Sequence, residues 1–318
     1  MTKIKLLINQ SEIGAGTRGS SLGPNAMKIA ALNAGSEFFF RNEQLIIPNE
    51  NEQLYEAVDT PFAKRIEAIQ RVFTNVCNTV KQTLDNDIFP VIIAADHASA
   101  GGTIAGLKAK FPNDRLGVIW IDAHADLHNP YTTPSGNVHG MPLATAIADD
   151  NIEMQKNNIE GKTLTAWQAI KSMGKIEPKI LPEDIVFIAV RDTEKEEEHL
   201  MQKHSMRNFT VAEVKRNGPD TVAQQALAQL KDCDKIFLSF DVDSMDCELV
   251  SMGTGTPVPN GLTENESTHI INQLLKDPRI CALELVEVNP TLDNKCNTMA
   301  ETAFRILERA CQLIKSRS

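Results

Sequence analysis

Short apolar runs alternate with amphipathic stretches along the whole chain. The runs are Ile4–Ile8, Val91–Ala95, Leu116–Ile121, Ile185–Val190, Ile236–Phe240 and Ile280–Val288. Each is continuously apolar and partly β-branched, as expected of strands buried on both faces. Between them, Phe62–Leu84, Asp220–Leu230 and Glu264–Leu275 repeat apolar residues at helical spacing, and Met299–Ile314 closes the chain in the same way. Thr263 followed by Glu266 carries a capping-box pattern, which predicts a helix start there. Strand and helix in alternation predict an α/β fold with a mostly parallel central sheet. No repeat, low-complexity stretch or linker interrupts the pattern, so residues 1–318 are expected to form one catalytic domain. The polar insert at about 150–182 reads as a surface excursion with one helix around Leu164–Met173.

Ionisable side chains collect where these runs end. Val91–Ala95 leads into Asp96 and His97, and Leu116–Ile121 into Asp122, His124 and Asp126. Ile185–Val190 leads into Arg191 and Asp192, Ile236–Phe240 into Asp241 and Asp243, and Glu287 stands near the end of the last run. In open α/β sheets the carboxyl edge of the strands is where ligands bind. Residues at i, i+2 and i+4 of an extended segment point to one face, so Asp122, His124 and Asp126 converge, and Asp241 and Asp243 repeat the arrangement. A lone D-x-D is as readily a pair of caps beside a strand end. D-x-H-x-D after one strand with D-x-D after another, joined by His97, is a metal constellation of two imidazoles and four carboxylates. Four negative charges packed together repel unless cations neutralise them. Two divalent ions are predicted, and an oxygen-rich, histidine-poor set suits Mn²⁺ better than Zn²⁺. Such a pair lowers the pKa of a shared water and supplies hydroxide near neutral pH.

Composition narrows the partners. A net charge of −10 argues against nucleic acid or an anionic membrane surface, and no apolar run is long enough to span a bilayer. The six cysteines show no CxxC spacing and read as reduced thiols of a cytosolic protein. With no signal-peptide order at Met1–Gln10, a cytoplasmic location is expected. Cys281 and Cys311 fall in core patterns, while His199, His204 and His269 lack metal-like spacing and read as surface residues. No cysteine is placed with histidine and acidic partners as a thiol hydrolase requires.

Several segments, in order, resemble the signature motifs of the arginase (ureohydrolase) family. They are Trp120–Asp126, Ser135–Gly140, Ser239–Asp243 and Glu284–Pro290, with Gly255–Pro257, Gly261–Thr263 and Gly14–Arg18. The resemblance runs from about residue 10 to about 310. It implies a three-layer α/β/α fold, a centre of two manganese ions per subunit and a homo-oligomer, trimer or hexamer. It assigns His97, Asp122, His124, Asp126, Asp241 and Asp243 to the metals, with Asp126 also taking the proton of the bridging hydroxide. His139 matches the proton-shuttling histidine and Glu287 the carboxylate that pairs with the guanidinium. Ser135, Asn137 and His128 fall where the substrate α-carboxylate is held, and Glu194 where its α-amino group is held, with Glu197 or Glu198 as the nearby second acid. The implied reaction is hydrolysis of a small guanidino substrate, L-arginine to urea and L-ornithine. Agmatine, guanidinobutyrate and N-formimidoylglutamate are the alternative substrates; a non-catalytic relative and a one-zinc deacylase are the remaining ones. Three departures bear on that choice: His128 replaces the usual asparagine, Ala94-Ala95 and Ala98 flank Asp96-His97, and Glu194 replaces the usual aspartate.

Overall fold

The computed structural model describes residues 2–317. Eight strands form one sheet, β1 (Ile4–Asn9), β2 (Glu43–Ile47), β3 (Phe89–Ala94), β4 (Leu116–Ile121), β5 (Ile185–Ile188), β6 (Arg207–Phe209), β7 (Lys235–Asp241) and β8 (Ile280–Val286). Their order is β2-β1-β3-β8-β7-β4-β5-β6, and every pairing is parallel. Parallel pairing requires crossovers, and the helices that make them cover both faces. On one face lie α1 (Gly23–Asn33), α2 (Phe38–Arg41), α7 (Val211–Asn217), α8 (Pro219–Gln229), α9 (Glu264–Leu274) and α10 (Thr298–Ser316). The other face holds α3 (Ile66–Asp85), α4 (Ser99–Lys110), α5 (Gly161–Lys171) and α6 (Lys195–Lys203). The expected three-layer α/β/α architecture is the observed one, and the capping box at Thr263 and Glu266 is formed in both directions.

The central strands lie where the apolar runs place them, with ends set by backbone turns. The runs Ile185–Val190 and Ile280–Val288 stop short as strands, because Ala189 (φ 74°) and Glu287 (φ 68°) take left-handed conformations. Such conformations cost about 1–3 kcal/mol each in a side-chain-bearing residue and persist only where the surroundings impose them. The helix expected from Phe62 begins at Ile66, after Arg65 (φ 59°) turns the chain.

Two strands and several helices have no counterpart in the sequence pattern. β2 is an edge strand exposed over four of its five residues, and β6 has only three residues. Neither carries a buried apolar run. α4 contains Gly101, Gly102 and Gly106, residues that weaken helices by roughly 1 kcal/mol each relative to alanine. Packing against α3 accounts for them: a Cβ at Gly101 would sit 2.2 Å from a Phe73 ring carbon. The polar segment 150–182 is tied down by Trp167, which is fully buried and donates Nε1–H to Asp150 at 2.9 Å.

Candidate metal centre and substrate cleft

Four neighbouring strands, β3, β8, β7 and β4, end on the same edge and deliver His97, Glu287, Asp241 and Asp122 to one place. Asp126 reaches it from the loop after β4 through a left-handed turn (φ 51°). His97 Nδ1 lies 3.0 Å from Asp122 Oδ2 and 3.2 Å from both Asp126 Oδ2 and Asp241 Oδ2. His124 Nδ1 lies 3.0 Å from Asp243 Oδ2 and 3.5 Å from Asp122 Oδ1. Asp122 is therefore shared between two clusters, His97–Asp122–Asp126 and Asp122–His124–Asp243. All six residues expected to hold metal are brought together.

Burial and mutual repulsion of the carboxylates push Asp126 and Asp241 upward, and burial with Asp122 nearby pushes Asp243 up to about 6. Asp122 goes the other way: against burial, the His124 and His97 imidazoles beside it hold it well below the carboxylate range. Burial disfavours charge on both imidazoles, yet the surrounding carboxylates raise them well above the ordinary histidine value. The cluster thus draws positive charge into itself. His97 Nδ1 and Asp122 Oδ2 are buried and, among the described residues, lack hydrogen-bond geometry to any partner despite their closeness. Atoms aimed at a common point without bonding one another are what a cation between them would satisfy. The donor set fits a pair of hard or borderline divalent ions.

The imidazoles are held from behind. His97 stacks flat on Trp120, 3.9 Å between ring centroids, and its Nε2 bonds Ser239 Oγ at 2.8 Å. Outer partners of this kind fix the orientation of a metal-binding histidine. Thr256 Oγ donates to Asp243 Oδ2 at 3.1 Å. Arg191, noted from the sequence only as an ionisable strand-end residue, donates to the carbonyls of Ala189, Asp243 and Val258 at 2.8–3.1 Å, lashing the Asp241–Asp243 loop to the end of β5.

Beside the cluster, Glu287 Oε1 accepts His139 Nδ1–H at 3.1 Å and the His97 backbone N–H at 2.9 Å. Burial disfavours the charged form of His139, but Glu287 outweighs it and pushes the imidazole up to about 9. Glu287 Oε2 is buried and has no hydrogen-bond partner among the described residues. Asp96, unmarked in the sequence beyond its strand-end position, accepts the Gly14 N–H at 2.8 Å; burial and Glu287 push it up to about 7.

A cleft runs outward from these groups past Thr133, Ser135, Asn137, His128, Glu194 and Glu197. Glu194 and Glu197 form a capping box at the start of α6, so the acidic stretch is a helix N-terminus rather than a freely solvated face. Glu197 is buried, which pushes it up to about 7, and accepts the Leu127 N–H at 3.1 Å. His128, also buried, pairs through Nε2 with Glu194 at 2.6 Å and lies 3.2 Å from Thr132 Oγ through Nδ1. Of the residues expected at the substrate's outer end, all but Glu198 line this cleft. His199, His204 and His269 lie away from it, 2.8–3.5 Å from carboxylate oxygens of Glu153, Asp149 and Asp220.

A parallel α/β/α sandwich with paired carboxylate–imidazole clusters at the carboxyl edge of its sheet is the architecture of a metal-dependent hydrolase. The Arginase family model matches residues 6–312. The chain is 33% identical over 311 residues to the arginase of Bacillus caldovelox, covering 96% of this chain and 97% of that one. It is 33% identical over 300 residues to the arginase of Bacillus subtilis, covering 93% of each. The B. caldovelox arginase structure superposes with a TM-score of 0.82 over 100% of this chain and 99% of that one, at 33% identity. That of Entamoeba histolytica arginase in complex with L-ornithine has a TM-score of 0.82 at 26% identity, covering 98% and 99%. The chain belongs to the arginase family, and membership implies a binuclear metal site. Among the described residues, no helix is long and apolar enough to cross a membrane.

Proposed function

We propose that the protein hydrolyses the guanidino group of L-arginine to give urea and L-ornithine. The observation that carries this reading is a single cleft that joins a partnerless carboxylate oxygen, Glu287 Oε2, to hydrogen-bonding groups at its outer end. His97, Asp122, His124, Asp126, Asp241 and Asp243 would hold two cations, Mn²⁺ by the character of the donors. Bound there, such cations would lower the pKa of water and supply hydroxide near neutral pH.

The remaining work falls to the protein. The free Glu287 oxygen accepts a guanidinium N–H and sets the planar group in the cleft, a charge-assisted contact that orients the carbon for attack. Asp126 accepts the proton the nucleophile releases. As the bond from the guanidino carbon to the chain nitrogen breaks, His139 delivers a proton to the departing amine, which leaves neutral. Glu287 supports this step by keeping His139 protonated. At the outer end, Ser135, Asn137 and His128 hold the α-carboxylate, and Glu194 and Glu197 hold the α-ammonium. On this reading the ornithine of the Entamoeba structure corresponds to the product here.

The test is a side-by-side panel of arginine, agmatine, guanidinobutyrate and N-formimidoylglutamate with Mn²⁺-loaded protein. Arginine is expected to have the highest kcat/KM. Asn137→Ala should lower the value for arginine about 10–150-fold more than that for agmatine, the worth of a hydrogen bond to a charged group. A wild-type preference for agmatine or formimidoylglutamate would refute the substrate assignment.

A further inference from the structure

Lys64 lies outside every motif of the sequence and outside the side chains assigned above, yet it grips the loop at the outer end of the cleft. Its Nζ donates to Asn137 Oδ1 at 3.0 Å, and its backbone N–H donates to the Gly136 carbonyl at 2.8 Å. Gly136 (φ 73°) packs so tightly against the turn before Lys64 that a Cβ there would meet the Pro61 carbonyl oxygen at 1.8 Å. The 135–137 loop is thus clamped to residues 61–64 through both backbone and side chain. No carboxylate of the described residues lies within ion-pairing distance of Lys64 Nζ, so its charge is unneutralised in a chain of net charge −10.

The contact decides which way the Asn137 amide faces. An amide has one acceptor end and one donor end, and a lysine ammonium is a donor only. With Oδ1 taken by Lys64, the NH₂ group must face the other way. There Nδ2 lies beside Gly16, at 2.6 Å from where a Cβ would stand, and makes no hydrogen bond among the described residues. Were the amide reversed, Nδ2 would meet the ammonium and an acceptor would be offered in place of a donor. We infer that Lys64 is a positioning residue for substrate selection: it holds the Asn137 N–H groups ready for a substrate carboxylate and adds its unpaired positive charge to that end of the cleft. This rests on the arginine reading above.

The test uses Mn²⁺-loaded full-length protein and compares Lys64→Met with Lys64→Arg, which keeps a charged N–H donor. In Lys64→Met the ratio of arginine to agmatine kcat/KM should fall about tenfold, mainly through the KM for arginine, since the contact serves binding in ground and transition states alike. Inhibition by ornithine should weaken by a similar factor relative to inhibition by putrescine, which has no carboxylate. Lys64→Arg should restore the ratio to within about threefold. Equal losses for both substrates in Lys64→Met would reduce Lys64 to a structural clamp and overturn the inference, as would a Lys64→Arg variant no better than Lys64→Met. A wild-type enzyme that prefers agmatine refutes the arginine reading instead, and the wild-type panel shows that before either variant is measured.

Discussion

At the inner end of the cleft, the His97, Asp122 and Asp241 side chains are 1%, 0% and 3% exposed, and each stands at the end of a strand in the middle of the sheet. At the outer end the Glu194 side chain is 55% exposed and stands at the N-cap of α6, outside the sheet. The inner groups are placed at the ends of strands hydrogen bonded on both sides, with the Trp120 ring stacked behind His97. The outer groups are placed by one another: His128 by Glu194, Asn137 by Lys64, Glu197 by a capping box. Rigid placement suits chemistry common to a family, because charge must be held without reorganisation. Placement by exchangeable side-chain contacts suits the choice of substrate. Two of the three departures from the usual arginase pattern, His128 and Glu194, accordingly fall at the outer end.

The contrast makes predictions of decreasing size. Losing a carboxylate at the inner end should be the most damaging change: Asp126→Ala or Asp241→Ala should abolish turnover and lower the metal retained after desalting from about two ions per chain. Metal analysis alongside activity checks this; full activity in chelator-treated, metal-free protein would break the assignment of both residues.

Next in size is His139, which sits between the two ends. His139→Asn should reduce kcat roughly 10²–10⁴-fold while leaving metal content unchanged, the signature of an acid–base group that binds no ion. Because Glu287 raises its pKa, the proton is present at neutral pH and lost on the alkaline side. A fall in wild-type kcat at high pH should therefore flatten in the variant. Cations bound nearby would draw that fall to a lower pH than the value of about 9 set by the protein groups alone. Loss of metal from His139→Asn would move this residue into the inner set.

The smallest effect belongs to the pair at the outer end. While His128 holds Glu194 at 2.6 Å, a substrate ammonium must compete with an imidazole for the same carboxylate. His128→Asn should free Glu194 while its amide N–H still meets the α-carboxylate, and so lower the KM for arginine a few-fold, on the order of 2–5-fold, with kcat and metal content unaltered; partly exposed ion pairs are seldom worth more. A fall in kcat as large as that of His139→Asn would show that the two ends are not separable.

The alternation of apolar runs with amphipathic stretches, and the charges at the ends of those runs, carried the fold class and all six candidate metal residues. A strand buried on both faces must be apolar along its length, and any charge at its end needs a reason strong enough to show in the sequence. The family motifs carried His139, Glu287 and the outer residues, which periodicity alone could not single out. Other features were invisible. β2 and β6 are edge strands whose neighbours demand little of their side chains. α4 is built from glycines that read as helix breakers until Phe73 and Val76 of α3 are seen against them. Arg191, Ser239 and Lys64 act through hydrogen bonds to residues far along the chain, and no local spacing encodes such a partner. The sequence by itself determined which residues could form a charged site on a parallel sheet, because burial and repeat spacing are local constraints on composition. The tertiary structure alone decided how those residues face one another: the left-handed turns at Asp126 and Glu287, the sharing of Asp122 between clusters, and the orientation of the Asn137 amide by Lys64. Those depend on distances between segments that only the packed sheet and its crossovers bring together.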